Sequence, residues 1–137
     1  MGRDQPGSSS PDGHARSDRR SLVYVLKALR LAISGVVVIG LGQMAATGRL
    51  PRNLFAGIRI PSTMRSDEAW RAGHQAAASA LTVAGVGPVV SAIIVVATRP
   101  GSKVQTVLSR ISTGWLVGWI GYATVEANRA ARAINAD

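Results

Sequence analysis

Apolar residues in this chain come in long runs, and polar residues are gathered between them. Residues 75–98 are 24 positions without a single charge. A bilayer core about 30 Å thick is crossed by roughly 20 mostly apolar helical residues, so this run is long enough. Pro88 lies inside it, and a proline is tolerated better in a membrane helix than in an exposed one; the helix is expected to bend near residues 84–88. Residues 31–48 are also uncharged, and the apolar pattern begins earlier, at Leu22. Lys27 and Arg30 fall within that extension, where long basic side chains can snorkel to the interface. A third run, 111–125, lies between Arg110 and Glu126 and reaches spanning length when 104–109 are added. The pattern predicts an all-α integral membrane protein. It has about three transmembrane helices, at 22–48, 75–98 and 104–125, with a polar connector at 49–74 between the first and second. A soluble fold would have to hide all three runs from water with few polar faces to cover them.

Residues 1–20 carry Gly, Pro, Ser and Asp and almost no large apolar side chain. Such a segment buries too little surface to offset its ordering entropy, so a disordered basic tail is expected, followed by a membrane domain over 21–137. His14 belongs to that tail and has no expected role. Arg19 and Arg20 before an apolar stretch are similar to a twin-arginine signal, but they read more simply as the basic flank of a helix.

Charge narrows the function classes. Sixteen Lys and Arg face seven Asp and Glu, a net charge of +9. The basic residues form clusters separated by long uncharged runs, which suits membrane flanks rather than the single basic face of a nucleic-acid binder. No nucleic-acid partner is expected. With three spans, nine basic residues fall on the side of the N-terminus and seven on the other, too even a split for the positive-inside rule to orient the chain. There is no cysteine, and only His14 and His74 carry imidazole. No metal site, no cofactor and no nucleophile–base–orienter set is expected, so the chain reads as noncatalytic.

The connector is dense in chemistry. Pro51 and Pro61 favour extended or turning backbone before them. Ser66 is a good N-cap, and Asp67 and Glu68 suit the positive end of a helix dipole. Trp70 and His74 share a face at i, i+4, as do Asp67 and Arg71, which can pair. Arg59 and Arg65 near a helix start could hold an anionic headgroup or a peptide carboxylate. Trp70 could anchor at the interface, and Glu68 and His74 could exchange a proton. The plainer alternative is that these side chains staple the connector in place: an Arg–Glu pair, a Trp anchor and a His bonded to backbone. In the third span, Gly114, Gly118 and Gly121 form a small-residue stripe suited to helix packing, beside an aromatic stripe of Trp115, Trp119 and Tyr122. A homo-oligomer or a membrane protein partner could use that helix.

The string N-x-x-x-G-I-R-x-P-x-T, then E-x-W-x-x-x-H, then an apolar span, resembles the signature of the SdpI family. These are small integral membrane proteins named for immunity to the sporulation-delaying-protein toxin. The matching positions are Asn53, Gly57, Ile58, Arg59, Pro61, Thr63, Glu68, Trp70 and His74. Ile60 stands where family members commonly have threonine. The likeness is to the family's C-terminal module, which larger members precede with another membrane module. It implies a multi-pass protein of the cell membrane with immunity-like function. The expected role is binding of a membrane-active peptide, a lipid headgroup or a protein partner through Asn53, Gly57, Arg59, Pro61, Thr63, Glu68, Trp70 and His74. The alternative is a small structural or assembly subunit of a larger membrane complex.

Overall fold

A computed structural model describes residues 11–52 and 56–136, with the side chains of residues 11–18 and 20 left out of the description. Three helices make up the fold: α1 (Pro11–Ala46), α2 (Asp67–Thr98) and α3 (Ser102–Ile134). No strand occurs among the described residues. The all-helical architecture and the long connector between α1 and α2 are as expected.

The start of α1 differs from expectation. The helix begins at Pro11, so residues 11–20 extend it where a disordered tail was expected. The low apolar content of this segment was a poor guide, because the helix propagates outward from the apolar run beginning at Leu22. Residues 1–10 lie outside the described residues.

Both ends of the connector are capped by sequence. After α1, Gly48 adopts φ +65. The Gly48 N–H bonds to the Ala45 carbonyl at 3.1 Å and the Arg49 N–H to Met44 at 2.9 Å. This pair of bonds is the Schellman closure that a left-handed glycine permits. At the other end Ser66 is extended (φ −146), and its side chain accepts from the Ala69 N–H at 3.0 Å. Asp67 and Glu68 occupy the first turn of α2.

α2 is the centre of the molecule and packs on both neighbours, while α1 and α3 scarcely meet. The α1–α2 crossing is made by glycine against glycine. A Cβ on Gly35 would lie 2.5 Å from the Gly85 carbonyl oxygen, and one on Gly42 would lie 3.0 Å from that of Ala78. The backbones therefore meet directly, as small residues allow in membrane helices. Between α2 and α3 the core is Ala77, Ala80 and Leu81 against Ala123 and Ala127. Gly73 faces the Ala127 backbone, and Ser112 donates to Ser91 at 2.6 Å.

The outward faces are apolar. Ile33, Val36, Ile93, Val96 and Val117 are each more than half exposed. In water so much contiguous apolar surface would promote association; in a bilayer it faces acyl chains. Two stretches are long and apolar enough to cross a membrane, Ser21–Ala46 and Asp67–Thr98. α3 has 33 residues but is not one of these two. Lys103, Arg110, Glu126, Arg129 and Arg132, together with its Ser, Thr and Gly residues, interrupt its apolar pattern.

Candidate functional site

The connector folds back over the ends of α2 and α3 and forms a compact polar cap. Its organising residue is His74, on the second turn of α2 and 1% exposed. The His74 Nε2 accepts the Ile58 N–H at 2.7 Å, and Nδ1 lies 2.8 Å from the Trp70 carbonyl oxygen. Together these contacts assign a neutral imidazole with its proton on Nδ1, donating to Trp70. Trp70 is equally buried and stacks on His74, with ring centroids 4.0 Å apart. Its Nε1–H donates to the Leu50 carbonyl at 2.9 Å. One turn of α2 thus holds both halves of the connector, Leu50 through Trp70 and Ile58 through His74.

Thr63 completes the frame. Its side chain is fully buried. The hydroxyl donates to the Ile58 carbonyl at 2.8 Å, lies 3.0 Å from that of Ile60, and accepts the Ile60 N–H at 3.2 Å. The turn at 61–64, opened by Pro61, closes with the Met64 N–H on the Ile60 carbonyl at 3.1 Å. Gly57 makes the approach to His74 feasible. Its φ is +110, and a Cβ there would lie 2.6 Å from the His74 Nε2 and 2.9 Å from Trp70.

Arg59 sits between these fastened residues. The Ile58 N–H and carbonyl and the Ile60 N–H and carbonyl are all bonded as described above, and Arg59 is exposed. Arg65 and Glu68 are exposed as well. The structure therefore divides the motif in two. Thr63, Trp70 and His74 are internal supports, Gly57 and Pro61 shape the chain, and Arg59 and Glu68 face outward. Asn53 lies outside the described residues.

Several expectations change on this geometry. Trp70 is not an anchor at the membrane interface; its indole is enclosed because the connector closes over it. Proton exchange between Glu68 and His74 is ruled out by placement, since both ring nitrogens are taken by backbone groups and the ring is buried while Glu68 is exposed. Asp67 pairs with Arg52 at 3.1 Å rather than with Arg71, because the incoming connector brings Arg52 across the first turn of α2. Arg71 instead lies 3.9 Å from Glu68 and donates to the Asp67 carbonyl. These pairs are exposed, and each contributes little to stability.

The expected packing role of Gly114, Gly118 and Gly121 is not realised within the chain. A Cβ on any of them would meet nothing within 4 Å. Gly114 and Gly118 line an open groove of about 650 Å³ beside Trp115 and Trp119. The buried face of α3 is instead the alanine ladder Ala123, Ala127 and Ala131, which allows the close approach of Gly73. The glycines that pack closely across α2–α3 come from α2, Gly73 against Ala127 and Gly87 against Trp115, while Gly35, Gly42 and Gly85 pack the α1–α2 interface.

Other contributors to the cap were not singled out from sequence. Ser62 donates to the Asn128 Oδ1 at 2.8 Å, and Asn135 Nδ2 donates to the Ser62 carbonyl at 2.9 Å. Arg132 also donates to Asn128, at 3.1 Å. A seven-residue spacing puts Asn128 and Asn135 on the face of the alanine ladder, and that was the available signal. Among the described residues no three His, Cys, Asp or Glu side chains come together in a way that could hold a metal ion.

Two bilayer-length apolar helices, with a hydrogen-bonded polar cap closing one end of the fold, define a small helical membrane protein. The SdpI/YfhL protein family model matches residues 49–125, covering the connector, α2 and most of α3. The chain belongs to that family and is a membrane protein of the SdpI/YfhL type. No curated protein and no solved structure matches it.

Proposed function

We propose that this is a noncatalytic, multi-pass protein of the cell membrane that captures an anionic group of a membrane-active peptide or protein partner through Arg59, in the manner of an immunity protein. α3 crosses the bilayer with the other two helices, its outward Val107, Ile111 and Val117 facing lipid. One observation carries the reading: Arg59 is exposed while the backbone on both sides of it is fastened by buried His74 and Thr63. Ordering a loop on binding costs free energy, and prior rigidity removes that cost. A guanidinium carried on that fixed backbone offers a planar fork to a carboxylate or phosphate, which an ammonium cannot copy. Arg65 adds positive charge nearby.

The test is protection of cells that express the chain and are challenged with a membrane-active peptide. Arg59→Ala is expected to lower the tolerated concentration about tenfold or more, the effect of losing one charge-assisted hydrogen-bonded contact, at unchanged membrane abundance. Arg59→Lys is expected to be nearly as damaging. Full protection by Arg59→Lys alongside loss in Arg59→Ala would reduce the residue to a general positive charge. Wild-type protection by Arg59→Ala would remove it from the site altogether.

A further inference from the structure

The end of the molecule opposite the cap has two neighbouring clefts. One, of about 630 Å³, lies between the start of α1 and the α2–α3 turn and is lined by Arg19, Val23, Lys27, Gly101 and Ser102. The other, of about 310 Å³, lies between α1 and the end of α2 and is lined by Val25, Val95, Val96 and Arg99. Tyr24 lines both and is their common wall. Its hydroxyl donates to the Pro100 carbonyl at 3.0 Å, and Gln105 donates to the same oxygen at 2.9 Å. The partition between the clefts is therefore fixed to the turn.

Charge and depth agree on the occupant. Three cations line the pair of clefts, and among the described residues no Asp or Glu does. Arg99 holds a left-handed backbone, φ 43 and ψ 54, at the end of α2, a conformation that is uncommon for a residue with a side chain. Glycine would close the helix there without strain, but it would supply no guanidinium to the second cleft. The first turn of α3 has neither a side-chain cap nor an acid of its own. The candidate span of α1 starts at Ser21 and that of α2 ends at Thr98. In a bilayer crossed by α1 and α2, Arg19 and Arg99 at this end suit headgroup depth, with Val25, Val95 and Val96 on their hydrocarbon side.

We infer that this end binds an anionic phospholipid, with the headgroup phosphate held by Arg19, Lys27 and Arg99 around Tyr24 and an acyl chain along the valine-lined cleft between α1 and α2. A cationic rim continuous with an apolar slot fits an amphiphile of that sign. Juxtamembrane cations attract anionic lipid in proportion to their number. The site is separate from Arg59 and does not rest on its role.

The full chain, purified in a neutral detergent, would be titrated with phosphatidylglycerol or phosphatidylcholine and lipid adducts counted by native mass spectrometry. Wild type is expected to bind phosphatidylglycerol at least about tenfold more tightly than phosphatidylcholine. Arg19→Gln, Lys27→Gln and Arg99→Gln combined are expected to abolish that preference. These three side chains are exposed, so the variant should melt like wild type. Arg129→Gln, at the opposite end, should keep the preference, and millimolar inorganic phosphate should not displace the lipid. Equal binding of the two lipids would overturn the inference, as would a triple variant that still prefers phosphatidylglycerol. A loss in Arg129→Gln as large as in the triple variant would show attraction by net charge alone, and ready displacement by phosphate would show a site for the free anion.

Discussion

Gly57→Val is expected to dismantle the polar cap while leaving the helices in the membrane. Two costs coincide at this position. The backbone has φ +110, outside the region open to β-branched residues, and such strain costs about 1–3 kcal/mol. The added Cβ would also lie 2.6 Å from the His74 Nε2. That ring cannot swing away, because its Nδ1 is held by the Trp70 carbonyl and its face by the Trp70 indole. Overpacking of this kind costs about a further 1–3 kcal/mol. The chain must move off His74, and the buried Ile58 N–H then loses its acceptor. The apparent melting temperature in detergent is expected to fall on the order of 10 °C, and Gly57→Ala should show a smaller fall. An unchanged Tm in Gly57→Val would contradict the close approach.

Trp70→Ala is expected to be as severe, by the opposite route. The side chain is 1% exposed and packs with Ala45, Leu50 and Ala78. Its removal leaves a cavity at the junction of α1, α2 and the connector, and truncation of a buried Trp costs about 3–5 kcal/mol. The Leu50 carbonyl loses its donor, and His74 loses the face it stacks on. Trp70→Phe should recover most of the packing but not the hydrogen bond, which contributes about 1 kcal/mol. The ordering wild type, then Phe, then Ala in thermal stability checks this account. A Phe variant as unstable as Ala would place the main contribution in the Leu50 bond instead.

The helices were readable because hydrocarbon imposes a simple rule. Twenty-four uncharged residues at 75–98 and a serine before two acids at 66–68 each have one ready structural reading, and each holds. The chemistry of the motif was harder to place. At i, i+4 Trp70 and His74 must share a helix face, but spacing alone does not say whether that face meets lipid, ligand or the chain's own connector. The answer depends on Leu50 and Ile58, 20 and 16 residues away in sequence from their partners, and local pattern carries no such information. The glycine stripe misled for a related reason. Gly114, Gly118 and Gly121 had the right spacing, yet α3 buries the alanine ladder one face over. The glycines in contact across α1–α2, Gly35, Gly42 and Gly85, sat inside apolar runs where they attracted no notice. Ala28, Gly35 and Gly42 recur every seven residues, and that spacing marked the buried face of α1.

The central claim is that buried His74 and Thr63 fasten the backbone on either side of Arg59. Amide hydrogen exchange of the full chain in detergent micelles measures this directly. The Ile58 and Ile60 amides should be protected well above their exposed neighbours. His74→Ala should release Ile58, and Thr63→Val should release Ile60, while amides in the middle of α2 stay protected in both variants. Exchange of Ile58 and Ile60 in the wild-type chain at the rate of an unstructured peptide would contradict the claim, and with it the presentation of Arg59 by a rigid cap.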